Sequence, residues 1–187
     1  MTKKEDTMAL KDTKARYGQV SRLLHWGIAL LIIWQFLSAA AHFFFDETAI
    51  EAFFWPTHKP VGVLILLLMS VRVVWALVNM ANRPSAVSLI SRLGHFTLYA
   101  FLLAIPTVAL LRQYGSGRSF EPFGIPLFSG FEGEKIQWMI DLGSLLHSTL
   151  GWILLAFIIG HIGMVFWHKY STKGENVLPR MWGRDDK

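Results

Sequence analysis

The stretch LLHSTLGWILLAFIIGHIGMVFW (145–167) contains no Asp, Glu, Lys or Arg, and it is apolar all the way round. Roughly 20 such residues are enough to cross a hydrocarbon core of about 30 Å. A helix buried in a soluble bundle would keep a polar stripe facing water, and this one has none. Three further stretches read the same way: 23–45, 61–78 and 95–111. No carboxylate falls in any of the four, and Arg72 is their single Lys or Arg. The chain as a whole is 53% hydrophobic and 17% charged, with a mean hydropathy of +0.40. Soluble domains average about a quarter charged residues. The expected fold class is therefore all-α: a transmembrane four-helix up-down bundle.

Working outward from the spans, the sequence divides into three parts. Residues 1–20 read as a polar, mobile tail, 21–170 as one four-span domain, and 171–187 as a second tail. Pro56 and Pro60 suit the first turn of the second helix, where a missing N–H costs little. Pro106 is expected to kink the third span. The segment 112–144 is too long for a mere connection. With Phe120, Phe123, Phe128 and Phe131 it is expected to lie over one mouth of the bundle. Ser38-Ala39-Ala40-Ala41 faintly resembles a signal-peptide cleavage site. The preceding apolar run is long, however, and cleavage would discard His25, so the first span is read as retained.

The basic residues orient the chain. With the N-terminus in the cytoplasm, one side holds Lys3, Lys4, Lys11, Lys14, Arg16, Arg22, Arg83, Arg92, Lys169, Lys173, Arg180, Arg184 and Lys187. The other holds Lys59, Arg112, Arg118 and Lys135. Thirteen against four obeys the positive-inside rule, with both termini in the cytoplasm. The net charge of +5 is thus a topology signal, and nucleic acid is not an expected partner. Membrane lipid is. The outer loops carry seven acidic residues, Asp46, Glu47, Glu51, Glu121, Glu132, Glu134 and Asp141, which leaves that face negative.

The absence of cysteine excludes disulfides, thiolate-bound zinc, Fe–S clusters and covalent c-type haem. Histidine is the remaining strong ligand, and ionisable groups inside a membrane are functional by default. His147 and His161 lie fourteen positions apart on one span. That is about 21 Å along a helix and nearly the same face. On the expected topology His58 matches the outer depth of His147, and His25 matches the inner depth of His161. Two imidazole pairs follow, His58 with His147 and His25 with His161.

Gly62 and Gly151 each follow an outer-pair histidine by one turn, and a flat macrocycle pressed on the backbone explains both. Close helix packing is the alternative for either one. A bare-metal transporter would pair its histidines with carboxylates and open positions, and the spans have no carboxylate. Two separated pairs suit bis-imidazole iron, with porphyrin supplying the other four ligands, so two haems b are expected. Arg72 at inner depth, Arg22 and Arg92 at the inner rim, and Lys59 and Arg112 at the outer rim are the cations expected for haem propionates. His95 is an inner-depth candidate for cofactor contact or a helix-packing hydrogen bond. His42 is expected at the interface, and His168 at the inner boundary.

These residues resemble the prokaryotic cytochrome b561 family, which includes the superoxide oxidases. The matching pieces are Tyr17-Gly18 with Leu24-His25-Trp26, His58-Lys59-Pro60-Val61-Gly62 leading to Arg72, Leu93-Gly94-His95 with Leu98-Tyr99, and His147, His161 and His168 in order. They run through nearly all of 17–180. The resemblance implies two haems b with His25, His58, His147 and His161 as axial ligands, in the bacterial inner membrane. It also implies electron exchange with a quinone on the inner side, where His95 and His168 are candidate contacts. In the superoxide oxidase branch, superoxide from the outer side is oxidised and ubiquinone is reduced. Lys59 and Arg112 are then the candidate catalytic residues, forming with Arg118 a local basic patch on an otherwise negative face. The alternative expectation is a cytochrome b subunit relaying electrons for a redox protein partner, with 112–144 as the docking surface.

Overall fold

The computed structural model describes residues 10–171 and 175–182. Helix α1 spans Gln19–Phe44, and a short α2, Ala49–Phe54, leads through a 3-10 turn (Trp55–Thr57) into α3, His58–Val78. Helix α4 spans Leu89–Gly115 and α5 spans Gln137–Tyr170. Four helical segments are long and apolar enough to cross a membrane: Gln19–Phe44, Ala49–Val78, Leu89–Gly115 and Gln137–Tyr170. Among the described residues there is no strand, only a lone antiparallel bridge, Phe120 to Phe128. The expected all-α four-span fold is the one observed.

Local chemistry sets the helix boundaries. The Thr48 hydroxyl accepts from the Glu51 backbone N–H and starts α2. The Ser88 hydroxyl accepts from the Ser91 N–H at 3.1 Å and starts α4. Both act as N-caps for otherwise orphaned donors. Pro56 sits in the first turn of its 3-10 segment, where it removes no needed donor. At 34 residues, α5 is about 50 Å long. It therefore outreaches a bilayer core and offers side chains at both membrane faces.

Close helix contacts run in series: α1 on α3, α3 on α4, and α4 most extensively on α5. Small residues bring the last two together. A Cβ on Gly115 would lie 2.7 Å from the Met139 Cβ, so glycine there lets the chains approach. Extensive backbone packing of α5 against α1 or α3 does not occur among the described residues. Side chains span that seam instead. The buried core is small and lies where α1, α3 and α4 meet: Ile28, Ile65 and Met69, ringed by Leu31, Ile32, Val61, Leu68, Tyr99, Leu102 and Leu103. Large apolar side chains such as Leu30, Leu67, Ile159 and Phe166 face outward, as lipid requires.

Of the expected 1–20 tail, residues 1–9 lie outside the described residues, and the part from residue 10 is fastened to the bundle. The Asp12 carboxylate is 3% exposed. It accepts from the Gly18 N–H at 2.9 Å and the Ser21 hydroxyl at 2.6 Å, and pairs with Arg83 at 3.2 Å. The segment from residue 10 is thereby fastened across α1 and the α3–α4 turn. Asp12→Ala would leave the half-buried Arg83 without its counter-ion and is expected to cost about 2 kcal/mol. A thermal-unfolding comparison in detergent checks it. Lys3, Lys4, Lys173, Arg184 and Lys187, which contribute to the charge asymmetry, lie outside the described residues.

At the opposite end the long connection is shorter than the sequence suggests, because α4 runs to Gly115 and α5 begins at Gln137. The remaining loop folds back through the Phe120–Phe128 bridge and the Phe131 N–H to Gly117 carbonyl bond at 3.0 Å. Its Pro122–Gly124 turn contacts α3, so the loop lies across that mouth of the bundle as expected.

Candidate functional site

Helix α5 presents His147 toward the loop end and His161 toward the termini end, and each faces one histidine across the seam. The His58 and His147 ring centres are 6.1 Å apart. Those of His25 and His161 are 6.4 Å apart. All four residues are half-buried. Imidazoles bound on opposite sides of one metal ion, at about 2.0 Å each, hold their ring centres about 6 Å apart. Both separations suit that geometry.

The pair at the loop end is also set in the right tautomer. His147 Nδ1 lies 3.2 Å from the Ile105 carbonyl. A carbonyl only accepts, so Nδ1 carries the proton and Nε2 keeps its lone pair. His58 Nδ1 lies 2.8 Å from the Ser38 hydroxyl, whose own proton goes to the Gln35 carbonyl at 2.7 Å. The Ser38 oxygen therefore accepts from His58, and the His58 Nε2 is likewise free to ligate. Ser38, 0% exposed, is legible in sequence only as part of a cleavage-like motif, and its position twenty residues before His58 gives no signal of contact. Ser38→Ala is expected to weaken haem retention about tenfold, measured as haem loss to an apo-globin acceptor.

The two glycines separate. At Gly151, one turn after His147, an added Cβ would meet nothing within 4 Å, which leaves room for a flat ring against the backbone. At Gly62 the Cβ would sit 3.4 Å from the Gln35 Nε2. Gly62 thus lies at the α1–α3 contact, where a Cβ would meet Gln35 at ordinary van der Waals distance.

The pair at the termini end is more crowded. The His95 ring lies 5.3 Å from His161, so three imidazoles share this level. Arg72 donates to His25 Nδ1 at 3.1 Å and, through Nε, to the Tyr99 hydroxyl at 2.8 Å. Its guanidinium also lies 5.3 Å over the Tyr99 ring. Since Nδ1 accepts here, the neutral His25 ring carries its proton on Nε2. Ligation by His25 requires Arg72 to turn away or that proton to leave. By ring separation the group fits this pair, and by hydrogen bonding the pair must rearrange to take it. In sequence Tyr99 is only one member of a motif; in the fold its phenol is the partner that holds Arg72 inside the span.

The remaining candidates fall around these pairs. Lys59 donates to the buried Gln113 side-chain carbonyl at 3.2 Å, and Gln113 in turn donates to the Arg118 and Ser119 carbonyls. Arg118 and Arg112 both lie within electrostatic reach of Lys59, so the three form a basic patch beside His58. Arg22 donates to the Met181 carbonyl at 3.1 Å, and Arg92 is exposed on the first turn of α4. His168, on the last turn of α5, keeps a buried Nδ1 with no hydrogen-bond partner among the described residues. His42 is exposed, stacks on Trp55 at 3.8 Å and bonds Glu51 at 2.6 Å. With Asp46 these donors lie within 4.8 Å of one another at the surface.

Comparison with known proteins identifies the family. The family model described as prokaryotic cytochrome b561 matches residues 16–184. Among curated proteins the chain is similar to cytochrome b561 homolog 2 of Escherichia coli (strain K12). The two are 26% identical over 188 residues, covering 95% of this chain and 96% of that one. The chain therefore belongs to the prokaryotic cytochrome b561 family, multi-pass membrane electron-transfer proteins that bind haem b.

Proposed function

We propose that this protein is a di-haem oxidoreductase that moves electrons across the bacterial inner membrane, from superoxide at the periplasmic face to ubiquinone near the cytoplasmic side. The observation that carries it is one helix offering His147 and His161 to partner histidines at two levels, with ring separations of 6.1 and 6.4 Å. Both termini lie in the cytoplasm on this reading, following the charge asymmetry. His58 and His147 hold the outer haem; His25 and His161 hold the inner one. Bound haem supplies a reversible one-electron change at iron. Superoxide gives one electron and becomes dioxygen, whereas a quinone takes two electrons and two protons, so two centres suit the exchange.

The chain's own side chains do the rest. Lys59, Arg112 and Arg118 gather an anionic donor at the outer mouth. Ser38 and the Ile105 carbonyl fix the outer imidazoles. Arg72 and Tyr99 place a positive charge beside the inner pair, where propionates or a quinone oxygen would meet it. His168, with its unsatisfied Nδ1, and His95 are the groups able to hand protons to a quinone. The test is haem content followed by stopped-flow mixing with superoxide and a ubiquinone analogue. Two haems b per chain, superoxide-dependent reduction of the outer centre and quinone-dependent reoxidation are expected. One haem per chain, or inertness toward both reactants, overturns the reading.

A second reading has one observation in its favour. The loop at the outer mouth exposes Phe123 at 63% and Ile125 at 67%, with Phe123 held at a positive φ of 57°. An apolar surface so displayed suits a redox protein partner. Co-purification of such a partner, combined with inertness toward superoxide, would favour a relay subunit.

A further inference from the structure

We infer that the C-terminal residues Met181 and Trp182 form a clasp that fixes Trp26 and, through it, sets the ring plane of His25. This rests on His25 being an inner haem ligand. The Met181 carbonyl accepts two side-chain donors from successive turns of α1, Arg22 Nε and Trp26 Nε1, both at 3.1 Å. The Trp182 ring meets Trp26 edge-on at 5.0 Å and 79°. Trp26 in turn meets the His25 ring edge-on at 5.0 Å and 75°. An unbroken line of contact thus runs from the C-terminal segment to an imidazole proposed to bind iron.

The clasp is itself anchored on two sides. The Arg180 carbonyl accepts from the Tyr17 N–H at 3.2 Å, just before α1 begins. The Arg180 guanidinium donates to the Ser85 carbonyl in the α3–α4 turn at 2.8 Å and to Glu175 at 2.6 Å. The segment Leu178–Arg180 is a 3-10 turn that presents these groups together. His25 needs such support from outside its own helix. Its Nδ1 meets Arg72, a donor that has to turn away when the ring ligates, so no acceptor in the structure locks that nitrogen as a ligating imidazole requires. Trp26, held by the Met181 carbonyl, supplies the lock from the other side.

Met181 and Trp182 are positioning residues, and the measurement must read the ligand plane. Low-spin haem signals in electron paramagnetic resonance do so, because their anisotropy follows the angle between the two axial rings. The full chain loaded with haem is compared with Trp182→Ala, Trp182→Phe and Trp26→Phe. One of the two low-spin signals is expected to shift in Trp182→Ala and Trp26→Phe, with the other unmoved. Trp182→Phe, which keeps the ring edge, is expected to restore the wild-type signal. Both signals unchanged in Trp182→Ala and Trp26→Phe overturns the clasp, as does an equal shift of both. Should Trp182→Ala not accumulate, Trp26→Phe alone decides, since it removes the bond to Met181 while keeping an aromatic ring beside His25. Wild-type protein lacking two bis-histidine signals would instead sink the haem assignment, which separates the two failures.

Discussion

Replacing His147 by alanine is expected to cut haem content from two per chain to one and to abolish reduction by superoxide. The His147 Nε2 has a free lone pair, an Nδ1 proton bound to the Ile105 carbonyl and a facing partner in His58. Removing a metal ligand outright should cost more than removing the groups that orient one, which is itself about 10- to 100-fold in affinity. Turnover of superoxide with quinone should therefore fall on the order of 100-fold or more. His161→Ala makes the informative contrast. It should also leave one haem, but the outer centre should still take an electron from superoxide and then stall, because the route to quinone is gone. Single-turnover absorbance separates the two variants. Equal behaviour would contradict the assignment of entry to one pair and exit to the other.

Those two pairs are legible in the sequence because depth along a helix is simple arithmetic. The fourteen positions between His147 and His161 fix two levels on one face, and the missing carboxylates narrow the chemistry. The spans are legible for a related reason: apolar length needs no partner to be recognised. Contacts between helices leave no such mark. Gly62 and Gly151 have the same spacing from a histidine, yet one packs against Gln35 and the other faces open space. Ser38 and Tyr99 give no local sign of being partners to His58 and Arg72, since the residues meet only when the spans align. The tails mislead for the opposite reason. Polar composition suggests mobility, but Asp12 is a buried acceptor for two groups and the ion-pair partner of Arg83, and Met181 is a backbone acceptor that no composition would reveal.

Electrostatics at the outer mouth is where summed charge has the least favourable sign for superoxide. On the proposed orientation the outer loops total four basic and seven acidic residues. An anion samples the local field near its target more than the sum over a face, because water and salt screen charges beyond about 10 Å. Lys59 is held by Gln113 and lies within electrostatic reach of Arg118 and Arg112, next to His58. Asp46 and Glu51, by contrast, are gathered around His42 at the α1–α2 corner. Lys59 and the His42 corner both lie within electrostatic reach of His58, so the positive patch and that acidic pair share the surroundings of the proposed entry centre. The double variant Lys59→Glu, Arg112→Glu should slow the second-order reaction with superoxide on the order of tenfold or more. Measured per bound haem, the reaction with a neutral one-electron reductant should be slowed far less, since steering acts only on a charged donor. Raising ionic strength should slow the wild type and narrow the gap, since steering is what salt removes. A variant that reacts with superoxide as fast as wild type at low salt would move the entry point away from this patch and, with it, the roles of Lys59 and Arg112.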